Sequence, residues 1–380
     1  MERQDVLIYA DTIRSPELRH EVPAPLYDPF LYGEHDGVRH VLIHAIEAKL
    51  LDGLGLELHA PEGYGADELL ARGIPRHERS AELCARGARA WGIERAAVPW
   101  TFPVELADRL RAHGLELYPD RDVFTERRRR KSGAELDGIK RAQKAADAAM
   151  AAVKELLARA DPTAEPLSLD GAPLTCERLK AAVARVLDEH DAVADDPIVA
   201  RGAQTAIIHH EGEGAIAPGE VVVVDLAPRD RASGCFADMT RTFVVGEPPP
   251  ELAEWHALCV TAMERAIAQI RPGAQDTAAF VSVSELFREA GHPTLLDKKA
   301  GEPLLDGFFH GLGHGVGLEV HELPFLSLTP EHRLVEGEVL AVEPGLYRQG
   351  LGGVRIEDLV VVTPDGAERL TDLPYDLAVS

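Results

Sequence analysis

Two segments in the second half of the chain repeat the same order of residue types. The first reads PGEVVVVDLA over residues 218–227, and the second reads EGEVLAVEPG over residues 336–345. In each, a Gly-Glu pair precedes four apolar residues and one carboxylate, which is Asp225 in the first and Glu343 in the second. Short apolar runs bounded by turn residues are typical of buried strands. The repeat therefore predicts a duplicated unit in which each carboxylate ends a buried strand.

Each carboxylate of the repeat is followed by a second one at nearly the same distance along the chain. Asp238 follows Asp225, and Glu357 follows Glu343 at almost the same spacing. Between the first two, PRDRASG is rich in turn-forming residues, and CFADMTRTFVV has the composition of a strand. We therefore expect a hairpin that brings Asp225 and Asp238 roughly opposite each other. A matching pair of strands should carry Glu343 and Glu357, and helices should precede the strands of each half.

The two halves are expected to place all four carboxylates in one site. Buried carboxylates repel each other, so one of them takes up a proton unless a cation lies between them. A glycine-rich segment, HGLGHGVGLEVHE at residues 310–322, adds His310, His314 and His321. Oxygen and imidazole ligands together suit Mn²⁺, Co²⁺, Zn²⁺ or Fe²⁺, and the many oxygens favour Mn²⁺. Two such ions about 3.5–4 Å apart would activate water and polarise a carbonyl group.

The net charge of the chain argues against two classes of binding partner. The chain has 380 residues, with 40 Lys and Arg against 64 Asp and Glu, which gives a net charge of −24 at pH 7. An acidic surface disfavours nucleic acids and anionic membranes as partners. The N-terminus lacks the pattern of a signal peptide, and no run of about 18 apolar residues predicts a membrane span. The cysteines share no CxxC spacing and are expected as free thiols in a reducing cytoplasm; they are Cys84, Cys176, Cys235 and Cys259.

A change in composition near residues 125–135 predicts two domains, residues 1–126 and residues 127–380. The basic run RRRRK at residues 127–131 is expected to be an exposed junction. Ser132 and Glu135 then have the spacing of a capping box, and the alanine-rich stretch after them predicts a long helix.

The first of these domains mixes strand-like and helix-like segments, which indicates an α/β fold. DVLIYA and VRHVLIHA are the predicted strands, and AELCARGARAWGI and VELADRLRAHG are the predicted helices. No carboxylate–histidine pattern marks the histidines of this region as metal ligands. We expect them at the surface or in hydrogen bonds; they are His20, His35, His40, His44 and His59.

The motifs VVVVD, DMTRTF, HGLGHGVGLEVHE, VEPGLY and VRIED, in this order, resemble those of the creatinase/aminopeptidase family with the pita-bread fold. The resemblance covers about residues 127–380 and is strongest to Xaa-Pro aminopeptidases and Xaa-Pro dipeptidases. It implies a smaller N-terminal creatinase-like α/β domain followed by a pita-bread domain with duplicated αββ halves. It also implies hydrolysis of the N-terminal Xaa-Pro bond of small peptides and a homodimeric assembly.

The same resemblance implies a ligand set for two divalent metal ions. The five ligands would be Asp225, Asp238, His314, Glu343 and Glu357. Asp238 and Glu357 would bridge both ions. Asp225 would bind one ion only, and His314 and Glu343 would bind the other. Glu343 would also act as the general acid/base.

The remaining matched residues are expected around the substrate. His310 and His321 match residues that line the pocket and hydrogen-bond the scissile region or stabilise the intermediate. His209 matches a histidine on the leaving-group side. Weaker matches near the site are Arg355, Tyr347 and His210, which stands where many members have tyrosine.

One departure from the family pattern and three alternatives remain. The family has a tighter hairpin than the spacing between Asp225 and Asp238 allows. An insertion of two residues preserves the alternation of side chains, so we expect a longer turn and an intact site. The main alternative is a metal-dependent hydrolase or lyase of a small non-peptide substrate on the same fold. A binding protein would lose ligands, and a methionine aminopeptidase would usually lack the N-terminal domain.

Overall fold

In the computed structural model, which describes residues 4–379, the chain divides into two units between Arg128 and Arg129. Unit 1 is built on a six-stranded sheet with helices on both faces. Its strands are β1 (Val6–Ala10), β2 (Phe30–His35), β3 (Val38–Leu42), β4 (Glu57–His59), β5 (Arg95–Val98) and β6 (Glu116–Pro119). Its helices are α1 (Pro16–Glu21), α2 (Ala45–Ala48), α3 (Ala66–Ala71), α4 (Arg76–Ala90), α5 (Val104–Ala112) and α6 (Arg121–Arg129), the last of which ends at the division.

The sheet of unit 1 is mixed. Its order is β4-β3-β2-β1-β5-β6, in which β1, β2 and β3 pair antiparallel and the outer strands pair in parallel. Leu7 packs with α4 and α5 on one face, whereas Val6 and Ile8 pack on the other face. The four segments predicted in this region overlap β1, β3, α4 and α5. The predicted α/β fold of the N-terminal region is therefore confirmed.

Unit 2 contains four longer helices and many short strands. The helices are α7 (Gly133–Ala158), α8 (Cys176–Glu189), α9 (Pro250–Ile267) and α10 (Thr277–Glu289). The strands of the first half are β7 (Ser168–Leu169), β8 (Ala172–Pro173), β9 (Ala192–Val193), β10 (Ile198–Arg201), β11 (Val221–Leu226), β12 (Arg229–Asp230) and β13 (Met239–Val245). Those that follow are β14 (Gly313–Gly315), β15 (Glu322–Leu326), β16 (Val339–Val342), β17 (Gly345–Arg348), β18 (Gly352–Arg355), β19 (Asp358–Thr363), β20 (Gly366–Arg369) and β21 (Ala378–Val379).

The duplication predicted from the repeat is present in unit 2. In the first half, α7 and α8 precede the antiparallel pair β11–β13, which lies in a sheet of order β10-β11-β13-β21. In the second half, α9 and α10 precede the antiparallel pair β16–β19, which lies in a sheet of order β15-β14-β16-β19-β20. The hairpin β17–β18 is inserted between β16 and β19. Each half therefore presents one sheet backed by its own pair of helices.

A capping box begins the longest helix of unit 2, as the sequence predicts. The backbone N–H of Glu135 donates to the Ser132 hydroxyl at 3.2 Å, and the Glu135 carboxylate accepts from the backbone N–H of Ser132 at 2.8 Å. Both hydrogen bonds give an acceptor to backbone N–H groups that otherwise have none at the N-terminus of a helix. The helix then continues through the alanine-rich stretch to Ala158.

Two further observations concern the helices and the cysteines of residues 4–379. None of the helices there is both long and apolar enough to cross a bilayer. All four cysteines are buried free thiols, as predicted.

The basic run before α7 is not the exposed junction that the sequence suggested. Arg128 and Arg129 are each only 5% exposed. Within unit 1, Arg127 donates to Glu21 at 2.8 Å, and within unit 2, Arg129 donates to Glu338 at 2.6 Å. A basic side chain is buried where carboxylates neutralise it. These partners lie far away in the sequence, so the run alone did not reveal them.

The register of the first hairpin differs from the expected one by two residues. Asp225 lies opposite Thr240 in the β11–β13 ladder, not opposite Asp238. The second strand begins at Met239, later than the apolar segment suggested, and residues 227–238, which include β12, connect the two strands. A shift of two residues keeps Asp225 and Asp238 on the same face of the sheet, because side chains alternate along a strand.

The close approach of β14 to β16 can be tested by adding one methyl group. A Cβ atom at Gly313 would lie 2.0 Å from the carbonyl oxygen of Ala341, so Gly313→Ala must push the strands apart. We expect this change to lower the free energy of unfolding by about 1–3 kcal/mol. Gly311→Ala is the matched control, because a Cβ atom there would meet nothing closer than 3.6 Å. The stability of both variants is measured by urea unfolding, followed by tryptophan fluorescence. Equal unfolding midpoints for Gly313→Ala and Gly311→Ala would show that the close approach of β14 to β16 does not require glycine at position 313.

Candidate metal centre

Alternation along the strands turns the two carboxylates of the repeat away from the helices. In β11, Val224 packs in the core that α7 and α8 form, so Asp225 faces the opposite side. In β16, Val342 packs in the core that α9 and α10 form, so Glu343, the residue after the strand, faces the opposite side too. The strong apolar runs therefore place one carboxylate of each half on the side away from its helices.

The second carboxylate of each half joins the first where the two halves meet. Met239 packs in the helical core, so Asp238, the residue before it, shares the face of Asp225. Glu357 directly precedes β19, and its backbone N–H donates to the carbonyl oxygen of Thr240 at 2.9 Å. This bond joins the second half to the first beside the carboxylates.

His314 is the histidine that lies among these carboxylates. Its Nδ1 is 3.1 Å from the carbonyl oxygen of Gly315, which can only accept, so Nδ1 carries the proton and Nε2 presents a lone pair. Nε2 lies 3.7 Å from Asp238 and 3.9 Å from Glu343. One ligating atom each from Asp238, His314 and Glu357 can be chosen so that all three lie within 4.8 Å of one another.

Burial and mutual repulsion raise the pKa of three of the carboxyl groups. Burial, followed by the charges of Asp225 and Glu343, raises the pKa of Asp238 well above its usual value. Burial, followed by Asp238 and Glu343, does the same to the pKa of Glu357. Burial raises the pKa of Glu343 to about 7, although Arg355 opposes the rise. Without a cation, the cluster therefore retains protons near neutral pH.

Three histidines of the site, His310, His314 and His321, are neutral near neutral pH. Burial lowers the pKa of His314 to about 4 and the pKa of His310 to about 3. Burial also lowers the pKa of His321, whose ring meets that of His314 edge-on at 4.3 Å. A neutral imidazole is the form that binds a metal ion.

Arg355 is a buried cation beside the carboxylates. Its Nη2 donates to Oδ2 of Asp225 at 2.6 Å, and its Nη1 donates to the hydroxyl oxygen of Tyr347 at 3.2 Å. Nδ1 of His310 donates to the carbonyl oxygen of Gly311 at 2.6 Å, so its Nε2 accepts from the Tyr347 hydroxyl at 3.0 Å. One chain of hydrogen bonds thus orients Asp225 and His310 together.

Thr240 is a residue of the site that sequence reasoning missed. It is fully buried, and its hydroxyl donates to Oε2 of Glu357 at 2.8 Å. The hydroxyl oxygen of Thr240 also accepts a hydrogen bond from Nε of Arg355 at 3.3 Å. Thr240 stands two residues after Asp238 in the motif DMTRTF, so strand alternation places both on one face. That spacing was a signal available in the sequence.

A pocket of about 330 Å³ opens over these groups, which is within the size range of small-ligand sites. The predicted residues that line it are Asp225, Asp238, His314, Glu343, Glu357, His209, His310, His321 and Arg355. Two weaker matches do not line it. Tyr347 is 1% exposed and contacts His310 and Arg355, and Nδ1 of His210 accepts from the backbone N–H of Gly212 at 2.9 Å. Unpredicted lining residues are Asp196, Ile198, Ile208, Ala227 and Val320.

The donor atoms of this site fit divalent metal ions. Four carboxylates and one imidazole with a free Nε2 offer oxygen and nitrogen ligands of the kind that such ions bind. When all the carboxylates are ionised, they and Arg355 carry a net charge of three negative units. A bound cation removes the repulsion that otherwise raises the pKa values of Asp238, Glu343 and Glu357. The site is therefore a candidate metal centre.

Comparisons with known proteins relate this chain to known enzymes. A sequence profile of the metallopeptidase family M24 matches residues 137–364. The Xaa-Pro dipeptidase of Pyrococcus horikoshii is 32% identical over 293 residues, which cover 77% of this chain and 75% of that enzyme. The Xaa-Pro dipeptidase of Pyrococcus furiosus is 38% identical over 185 residues, which cover 48% of this chain and 49% of that enzyme. This alignment thus spans about half the length of that relative.

The fold of this chain also matches the folds of solved structures. The structure of an Xaa-Pro dipeptidase from Bacillus anthracis superposes with a TM-score of 0.77, covers 99% of this chain and 95% of that chain, and is 23% identical in sequence. The likeness extends over both units. It confirms the predicted architecture, an N-terminal α/β domain followed by a pita-bread domain with duplicated halves.

The raised pKa of Glu343 should make the metal-free protein sensitive to pH. A carboxyl group whose pKa rises on folding from 4.5 to about 7 stabilises the folded state at low pH, and this contribution is lost as the pH rises through 7. We expect the melting temperature of the chelated protein to fall between about pH 5 and about pH 8, and added divalent metal to abolish the fall. Glu343→Gln cannot ionise, so its decline should be smaller. Identical declines in both proteins, measured by calorimetry in chelator, would contradict the assignment.

Proposed function

The chain belongs to metallopeptidase family M24, and we propose that it hydrolyses the N-terminal Xaa-Pro bond of small peptides with divalent metal ions bound at the candidate metal centre. The observation that carries this proposal is the convergence of four carboxylates and His314 in one pocket, within the region that matches the family. The similarity to Xaa-Pro dipeptidases supports the choice of an Xaa-Pro bond. Proline at the second position calls for a dedicated enzyme, because its ring fixes the chain and its nitrogen carries no hydrogen.

We propose two divalent ions, with Mn²⁺ favoured and with Co²⁺, Zn²⁺ or Fe²⁺ compatible with the same ligands. The number of ligands supports two ions rather than one, because five protein ligands with carboxylates that can bridge suit a pair of ions. Asp238 and Glu357 would bridge both ions, Asp225 would bind one, and His314 with Glu343 would bind the other. When bound, such ions polarise the scissile carbonyl and lower the pKa of water.

Glu343 is proposed as the general acid/base. Its side chain lines the pocket and is 22% exposed, so a substrate can reach it. Glu343 would accept the proton of the attacking water and deliver it to the proline nitrogen, which needs a proton in order to leave.

The histidines are proposed to hold the substrate. His310 lies 3.9 Å from Glu343, and its neutral ring is oriented by the hydroxyl of Tyr347. His321 and His209 line the open part of the pocket, where they can donate to the scissile region and to the proline side. Arg355 is proposed to act mainly through Asp225, which it orients at 2.6 Å.

The cellular location, the oligomeric state and the substrate class of the protein stay predictions. The cytoplasmic location is proposed from the free cysteines, and the homodimer is proposed from the family resemblance. The non-peptide alternative, a metal-dependent hydrolase or lyase of a small molecule, is an outcome of the substrate assay below.

The first assay compares an Xaa-Pro dipeptide with an Xaa-Pro-Yaa tripeptide, each with Mn²⁺ and with chelator. We expect metal-dependent release of the first residue, and an Xaa-Ala peptide of the same length serves as the control. Cleavage of the tripeptide would indicate an aminopeptidase, and cleavage of the dipeptide alone would indicate a dipeptidase. If a protein with bound metal cleaves neither, the proposed function is wrong and the non-peptide alternative takes its place.

A pair of variants separates metal binding from substrate binding. Asp238→Ala should abolish activity and remove the Mn²⁺ bound at the candidate metal centre, because it deletes a proposed bridging ligand. His321→Ala should lower kcat by about 10²-fold while the metal content stays near that of the wild type, because His321 is proposed to donate to the substrate only. Plasma emission spectrometry measures the metal and peptide hydrolysis measures kcat. Turnover retained in Asp238→Ala, or metal lost in His321→Ala, would overturn these roles.

A further inference from the structure

A second group of potential metal ligands lies in unit 1, at the edge of its sheet. Strands β3 and β4 pair in parallel, with His40 opposite Glu57 and Leu42 opposite His59. Glu57 and His59 are two residues apart in β4, so their side chains leave the same face of the strand. His40 adds a third donor on that face from the neighbouring strand. Two imidazoles and one carboxylate thus converge.

The distances among these donors match the coordination sphere of a metal ion. Nδ1 of His40 lies 3.1 Å from Nε2 of His59 and 3.4 Å from Oε2 of Glu57. One ligating atom from each of the three residues can be chosen so that all lie within 4.8 Å of one another. Ligands about 2.0–2.1 Å from a tetrahedral Zn²⁺ are about 3.3–3.4 Å apart. Only small side-chain movements separate the observed arrangement from such a sphere.

Aromatic residues hold both imidazoles in place. The Trp91 ring stacks on His40 with centroids 5.1 Å apart and planes 9° apart, and it lies 5.3 Å from the ring of His59. The indole N–H of Trp91 donates to the hydroxyl oxygen of Tyr64 at 3.0 Å, and that hydroxyl lies 3.0 Å from Nδ1 of His59. In metal sites, the ring nitrogen that does not bind the ion is held by such a partner, which fixes the ring and its tautomer.

The protonation and exposure of the group also suit metal binding. Burial lowers the pKa of His40 and of His59, so both rings are neutral near pH 7 and compete little with a metal for protons. His40 is 8% exposed, whereas the side chain of Glu57 is 61% exposed, so an ion can reach the donors from solvent. A hydrogen bond between His40 and His59 would be enough to explain the 3.1 Å distance between their ring nitrogens. It would not explain why the carboxylate of Glu57 lies on the same face.

We propose that His40, Glu57 and His59 bind one divalent transition-metal ion, separate from those of the candidate metal centre. Two imidazoles with one carboxylate suit Zn²⁺, Ni²⁺ or Cu²⁺ better than Mn²⁺, which binds nitrogen ligands weakly. Three protein ligands leave one position of a tetrahedral ion for water. The site is therefore of the zinc class and is open to solvent.

The test counts the ions bound by the full-length chain. Protein stripped with chelator is dialysed against Zn²⁺, and bound metal is measured for the wild type, Glu57→Gln and His59→Gln. Glu116→Gln is the matched control, because it removes one carboxylate from β6, the strand at the opposite edge of the same sheet. We expect Glu57→Gln and His59→Gln each to bind one ion fewer per chain than the wild type, and Glu116→Gln to bind the same number. Titration with Co²⁺ adds a spectroscopic readout, since a four-coordinate Co²⁺ site absorbs strongly in the visible.

The outcomes distinguish this site from the candidate metal centre. Loss of one ion with unchanged hydrolysis of Xaa-Pro peptides supports a separate site, because neither Glu57 nor His59 belongs to the centre in unit 2. Equal metal content in the wild type, Glu57→Gln and His59→Gln would overturn the proposal and leave a hydrogen-bonded histidine pair. An equal loss in Glu116→Gln would also overturn it, because binding would then follow surface charge alone.

Discussion

Repulsion among four carboxylates in one pocket is the constraint on which the arrangement of unit 2 depends. Asp238 and Glu357 are buried, and burial together with their neighbours raises the pKa of each carboxyl group well above its usual value. Such a cluster costs free energy unless cations balance it, and Arg355 supplies only one positive charge. The remaining charge, the oxygen ligands and the free Nε2 of His314 all favour divalent metal. A pocket whose carboxylates repel one another in the bare protein is thereby a candidate site for divalent metal.

The duplicated architecture brings the four carboxylates and His314 together. Each half supplies one strand pair whose apolar residues pack on two helices and whose opposite face carries two carboxylates. The halves join through the bond from Glu357 to Thr240 and through Arg355, which donates to Asp225. Glycine at position 313 lets β14 approach β16 closely enough to place His314 beside Asp238. Gly313 of HGLGHGVG therefore serves backbone packing, and the histidines of the motif are the residues proposed for the chemistry.

Unit 1 shows the same rule of strand alternation at a site that the sequence analysis did not identify. The segment Glu57-Leu58-His59 contains a carboxylate and a histidine on one face of a strand, but β4 is very short and has no alternating pattern of its own. His40 comes from a neighbouring strand earlier in the chain, and only the parallel pairing of β3 with β4 places it beside Glu57. The expectation of hydrogen-bonded histidines holds for His40 and His59, yet the nearby carboxylate gives the group a further role to test.

The sequence alone determined the duplication, the strand ends that carry Asp225 and Glu343, and the capped helix α7, because each depends on contacts between residues close in the chain. It also carried the family resemblance, since five motifs in order leave few other folds. Only the tertiary structure decided the register of Asp225 opposite Thr240, the burial of Arg128 and Arg129, and the chain of hydrogen bonds from Asp225 to His310. These features depend on partners that are distant in the sequence, and local preferences hold no information about which distant charges and strands will meet.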